Sequence, residues 1–294
     1  MVLPKFEYLV PQTLDEAVNL LNELGTGAKV MAGGTDIIPP MRDKVLKADY
    51  LIDIKHIPGL EYITYDEKEG LKIGALTKLY DIQTSKLVKE KNPAVAQAAK
   101  YVASTQIRNK GTMVGNCCNA SPSADTPPIL ISMNASFLVK NKENELKVPA
   151  IDFFKGVKKN CLEQGEIVTG IVIPPLGENE HAAYIKHSVR KAMDLAIVGV
   201  ASWVKMDGDT CVDARITLGA VAITPVRAYN AEKALIGQEI TEEVLERVGL
   251  AAMEDCHPIS DVRASAEYRH DMVRVFTKRA ITKAMEGYSE EDHI

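Results

Sequence analysis

Apolar positions recur at helical spacing at Leu14, Ala17, Val18, Leu20, Leu21 and Leu24, which places them on one face of a helix. Thr13 precedes them and Glu16 follows three residues on, the capping-box arrangement that satisfies first-turn amides. Gly25 ends the helix. The apolar run 28–32 then predicts a buried strand that stops at Gly33-Gly34-Thr35-Asp36. Residues 50–54 predict a second strand, and Pro58-Gly59 a turn. Helix alternating with strand indicates a small α/β unit. A second α/β segment begins near residue 60, with a strand at 71–75 and a helix at 94–101 led by Pro93. From 105 to 128 the periodicity fades, and that stretch is expected to be a long functional loop. Strands return at 135–139 and 166–173.

Pro174-Pro175-Leu176-Gly177 is the expected domain boundary. Beyond it, strands at 196–206 and 212–221 flank Asp207-Gly208, a hairpin signal. Helices are expected at 228–236, 242–253 and 266–285. Sheet followed by helices indicates an α+β domain.

Composition narrows the class. A chain of 294 residues, 46% hydrophobic and 26% charged, buries a sizeable core and suggests two domains. The net charge of −5 disfavours nucleic acid, whose phosphates need clustered Lys and Arg. No apolar run approaches the ~20 residues that span a bilayer. The segment 1–7 lacks the apolar region of a signal peptide. Cys117, Cys118, Cys161, Cys211 and Cys256 are odd in number and scattered, which indicates a reducing cytoplasm. No C-x-x-C or H-E-x-x-H spacing predicts a metal site.

Three segments carry candidate chemistry. Gly33-Gly34-Thr35-Asp36 reads either as a tight turn with a capping Asp or as a nest of backbone N–H groups for a phosphate. Gly25-x-Gly27 follows a helix rather than a strand, so it is no dinucleotide fingerprint. Residues 105–116 supply Gly, Thr and Asn donors with Arg108 and Lys110, and continue through Ser121-Pro122-Ser123-Ala124-Asp125. Residues 184–198 form a basic stretch, with Lys186, Arg190 and Lys191, that leads through Asp194 into a strand. No nucleophile–base pair stands at a recognisable spacing, so no catalytic side chain is assigned.

These segments, in this order, resemble the FAD-binding subunit of the molybdenum hydroxylases, the xanthine dehydrogenase and carbon-monoxide dehydrogenase superfamily. The likeness runs from residues 32–36, through 106–112, Gly115-Asn116 and 121–125, to 194–198 and Ala266-Glu267-Tyr268-Arg269. It departs at Val114, where the family commonly carries glycine in Thr-Ile-Gly-Gly. The resemblance implies an α+β chain: a two-part FAD-binding domain of the PCMH type over 1–176, with parts near 1–56 and 57–176, and a C-terminal antiparallel sheet with helices over 177–294. It implies FAD bound by Val30, Met31, Ala32, Gly33, Gly34, Thr35, Asp36, Ile37, Val102, Thr112, Gly115, Asn116, Asp125, Val168, Lys186 and Leu195. Lys186 would lie as a cation at the ring's polar edge and Leu195 over its face. Asp125 would accept hydrogen bonds from FAD; its rival reading is an N-cap for a helix over 128–133.

The implied partners are an iron–sulfur subunit with [2Fe–2S] clusters and a molybdopterin subunit, with NAD(P) or another acceptor taking the electrons. The implied substrate, hydroxylated on the partner, is an N-heteroaromatic such as nicotinate or a purine. The alternatives are a FAD-free nucleotide-binding or scaffold subunit, and a free-standing FAD oxidase.

Overall fold

Thr13 Oγ1 accepts the Glu16 N–H at 3.1 Å and starts the helix Leu14–Leu24. Glu16 reaches back to the Gln12 N–H at 2.7 Å, one residue ahead of the cap. A computed structural model describes residues 3–190 and 192–288; Met1, Val2 and 289–294 lie outside it, as does Lys191 of the basic stretch. The helix buries Ala17, Val18 and Leu21 in one cluster with Ile52 and Ile54. Each Val, Leu or Ile side chain so buried contributes about 1.5–3 kcal/mol. Its partner is a parallel three-stranded sheet ordered Glu7–Leu9, Tyr50–Asp53, Ala28–Met31. The carboxyl end of Ala28–Met31 runs straight into the Gly33-Gly34 turn.

The second unit is an antiparallel sheet ordered Ile63–Asp66, Gly70–Gly74, Ile167–Ile173, Ser136–Lys140, Glu145–Pro149. The helix Pro93–Tyr101 begins at its proline as expected. The expectation of a featureless loop over 105–128 is corrected. The segment holds the helices Thr105–Arg108 and Met113–Cys118, and Thr126–Ser132 begins within it. Ser104 accepts the Ile107 N–H and Thr112 accepts the Gly115 N–H. A helix of four to six residues is too short to display a 3.6-residue period, so only its cap signals it. Val114 sits in the second of these helices, buried, at an ordinary helical position, so valine fits where the family carries glycine.

The basic stretch is also more ordered than expected. Its first part is the strand Glu180–His187. That strand, Val198–Asp207, Thr210–Gly219 and Val226–Arg227 form an antiparallel sheet in that order. The Asp207-Gly208 hairpin forms, with Gly208 at φ +57°. The helices Tyr229–Leu235, Glu242–Glu254 and Ala266–Glu286 cover one face. The other face packs on the second unit. Ala182, Tyr184, Ala201 and Trp203 belong to the same core as Ile129, Leu130 and Phe137. Ser132 Oγ donates to Thr217 Oγ1 at 2.8 Å, and Arg215 Nε to Ser132 O at 2.6 Å. The strands therefore change sheet across 174–179 while the hydrophobic core does not stop there.

A shared core predicts shared unfolding. Trp203, the single tryptophan, is buried in it under the Arg215 guanidinium, 3.3 Å from the ring centroid. Denaturant curves followed by Trp203 fluorescence and by far-UV circular dichroism should coincide over the main transition. A Trp203 transition well separated from the dichroism would show that the two parts unfold independently.

Candidate functional site

The turn after Ala28–Met31 is shaped by two glycines with different tasks. Gly34 has φ +75°, in the region that favours glycine. Gly33 is a packing glycine: a Cβ there would lie 1.9 Å from Lys110 O. The backbone of 33 thus rests on that of 110–111, and Thr35 Oγ1 lies 3.3 Å from the Cβ position of Gly111. The first two motif segments meet here. Gly34 O accepts the Ile37 and Ile38 N–H groups. Among the described residues, the N–H groups of Gly33, Gly34, Thr35 and Asp36 find no acceptor. Four consecutive amides left open at the carboxyl end of a parallel strand are donors that an anion could use. Asp36 is accessible to solvent, yet crowding by neighbouring protein raises its carboxyl pKa, with Lys158 opposing.

The second and third motifs meet at Asp125, which is 6% exposed. Tyr184 Oη donates to its Oδ1 at 2.9 Å and Lys186 Nζ to its Oδ2 at 2.9 Å. Lys186 Nζ also donates to Tyr101 O at 3.1 Å. Asp125 stands at the start of Thr126–Ser132 but its side chain caps nothing, so the N-cap reading is overturned: both oxygens turn toward the strand Glu180–His187. Burial pushes the Asp125 carboxyl up to about 6, against the pull of Lys186 and Tyr184. Burial, and next the Asp125 charge, raise the Tyr184 phenol well above its usual value. Lys186, expected as a cation facing the ring, has its charge paired with Asp125.

The other expected residues divide into three groups. Thr112 and Asn116 each keep hydrogen-bonding capacity. The Thr112 hydroxyl accepts from Gly115 N–H and retains its own proton to donate. Asn116 Oδ1 accepts from Thr126 Oγ1 at 2.7 Å, and its Nδ2 finds no partner among the described residues. Val102, Val168 and Met31 are buried core residues, while Val30, Ala32, Ile37 and Gly115 are half-buried. Leu195 stands apart, 45% exposed in the connection 188–197 that the Ile197 N–H closes on His187 O.

Several residues around these motifs had no part assigned to them from the sequence. Tyr184 and Tyr101 complete the Asp125 cluster. Arg108, one of the two cations of the 105–116 segment, is a buried clamp. Its guanidinium donates to Gln83 Oε1, Val102 O, Ala103 O and Thr105 Oγ1. Arg269 clamps the far side, donating to Ile197 O, Ala220 O and Asp261 Oδ1. Ala103, Ala120 and Ala220 have φ of +46°, +46° and +65°. Each is held by hydrogen bonds to its backbone: Arg108 on Ala103 O, Lys158 N–H on Ala120 O, and Arg269 on Ala220 O, whose N–H reaches Pro122 O. Strained backbone of this kind collects at binding sites.

Residues 4–176 match the family described as FAD binding domain in molybdopterin dehydrogenase, and residues 183–284 match the CO dehydrogenase flavoprotein C-terminal domain. The chain is 35% identical to the carbon monoxide dehydrogenase medium chain of Hydrogenophaga pseudoflava, over 97% of this chain and 98% of that one. It is 34% identical to the glyceraldehyde dehydrogenase medium chain of Sulfolobus acidocaldarius, over 95% and 98%. It superposes on a solved structure of the H. pseudoflava carbon monoxide dehydrogenase lacking the Mo-pyranopterin moiety, with TM-score 0.93 and 36% identity over 97% of this chain and 99% of that one.

Two outcomes follow from this geometry. Gly34→Ala should cost about 1–2 kcal/mol, the strain of a left-handed non-glycine residue. Gly33→Ala should cost about 3 kcal/mol, because two backbones must part. Melting curves of the cofactor-free protein test the order, and equal losses would contradict it. The second outcome concerns pH. A carboxyl whose folded pKa exceeds its unfolded one contributes stability that is present at low pH and lost as pH rises toward the folded value. Wild type should therefore lose on the order of 2–3 kcal/mol relative to Asp125→Asn between about pH 4 and pH 6. Parallel profiles of unfolding free energy against pH would refute the raised Asp125 pKa.

Proposed function

The chain belongs to the FAD-binding subunits of the molybdenum hydroxylases, and from that premise we propose that it passes electrons from [2Fe–2S] clusters of a partner subunit through FAD to NAD(P) or another acceptor. It is an oxidoreductase subunit and FAD is its cofactor. The observation that carries the site reading is the row of open amides over 33–36, packed against residues 110–111 that lead to the free donors of Thr112 and Asn116. These groups suit the pyrophosphate of a dinucleotide. On this reading Val102 and Val168 are among the residues that bind FAD, Leu195 approaches the ring face, and Asp125 and Lys186 serve its polar edge. Bound FAD supplies the one-electron to two-electron conversion that joins iron–sulfur clusters to a pair acceptor. The chain's own residues bind, orient and shield.

The organic substrate is proposed to be met on a molybdopterin subunit, as an N-heteroaromatic such as nicotinate or a purine. Similar medium chains belong by name to enzymes of carbon monoxide and of glyceraldehyde, which supports a flavin subunit indifferent to the substrate oxidised. A cytoplasmic setting is proposed from the five unpaired cysteines. No helix among the described residues is long and apolar enough to cross a membrane.

Gentle lysis of native cells should yield the chain in a complex with iron–sulfur and molybdenum subunits and one FAD per copy. Such docking buries on the order of 1,200 Å² or more. A lone monomer with full activity on an organic substrate, or a complex whose chain carries no flavin absorption, would overturn the proposal.

A further inference from the structure

Tyr184 and Lys186 are two residues apart on the strand Glu180–His187 and so share one face. Between them they hold both oxygens of Asp125. Lys186 spends two of its three N–H donors on Asp125 and Tyr101 O; the third finds no partner among the described residues. Where that donor points depends on where the carboxylate is held.

Tyr184 is itself over-determined. The residue is 1% exposed, and its ring meets that of Tyr101 edge-on at 5.9 Å. Its backbone N–H is taken by Tyr288 Oη at 3.0 Å. Gly199 lies opposite Lys186 on the adjacent strand. A Cβ at Gly199 would stand 2.6 Å from the Tyr184 phenol oxygen and 3.3 Å from its nearest ring carbons. The glycine therefore leaves room for the hydroxyl more than for the ring. A phenylalanine would fill the same apolar space, so the hydroxyl has a task that packing does not explain.

We propose that Tyr184 is a positioning residue of the flavin site: its hydroxyl orients the Asp125 carboxylate, and through it the remaining Lys186 donor, toward the polar edge of bound FAD. The inference rests on the FAD reading of the site given above. The phenol remains a constant donor, because burial and the Asp125 charge keep it protonated. Its action on the cofactor runs through Asp125 and Lys186 rather than by contact.

The test uses the full chain with Y184F, G199A and the double variant. Three quantities are read: FAD affinity of the cofactor-free protein, the flavin midpoint potential, and the melting temperature without FAD. Y184F should weaken FAD binding roughly tenfold and move the midpoint potential. G199A should do likewise, because its Cβ displaces the hydroxyl. In the Y184F background G199A should add little to the change in FAD affinity and potential, since the oxygen it strikes is gone, although its Cβ still crowds ring carbons at 3.3 Å. Wild-type affinity and potential in Y184F would overturn the proposal, as would a lowered melting temperature with an unmoved potential. Full additivity of the two substitutions would also overturn it. A wild-type chain that takes up no FAD would overturn the underlying site reading instead.

Discussion

The Asp125 carboxylate is taken out of water between the start of the helix Thr126–Ser132 and the strand Glu180–His187. Removing an ion from water costs several kcal/mol, and attraction offsets that cost only where geometry and hydrogen bonds are good. Here one oxygen receives a phenol and the other an ammonium. Much of the local architecture follows from this requirement. The strand must present Tyr184 and Lys186 on one face. Gly199 must stay bare beside them. The helix must begin where Asp125 can face the sheet, which is why its side chain is unavailable as a cap. The polar pair also fastens the third sheet to the second unit, beside the Ser132–Thr217 contact.

A second constraint fixes the first unit. Gly33 lets two backbones touch, so the turn after Ala28–Met31 is braced by residues 110–111 rather than standing free. The turn's own amides then remain open, because the supporting contact is steric and uses none of them. Elsewhere in the chain, alanines rather than glycines take the left-handed conformations at 103, 120 and 220. Arginine clamps and backbone hydrogen bonds hold them there. Strain costing on the order of 1–3 kcal/mol per residue is thus borne by surrounding contacts.

The features legible in the sequence were those with local causes. Thr13, Gly25 and Asp207-Gly208 act within a few residues, and each performed as its chemistry predicts. The long helix Ala266–Glu286 displays enough turns for its period to show. The three motif segments were legible as candidates, and two of their meeting points are now visible, at Gly33 with Lys110 and at Asp125 with Lys186. What was hidden depends on distant partners. Short helices such as Met113–Cys118 have a cap but no period. Arg108 and Arg269 look like solvent-facing cations in a polar stretch, and only tertiary contacts reveal that backbone carbonyls bind them. Tyr184 looks like an ordinary strand residue until Asp125, 59 positions away, is brought against it.

Hydrogen–deuterium exchange on the cofactor-free chain, with and without added FAD, tests the central claim most directly: that the open amides over 33–36 and the braced segment ending at Asp125 form one cofactor cradle. Open amides without acceptors exchange fast, and binding to phosphate oxygens slows them. Strong, simultaneous protection is expected at 33–36 and across 112–125 when FAD is added. Protection confined to other segments, with 33–36 exchanging as rapidly as before, would contradict it.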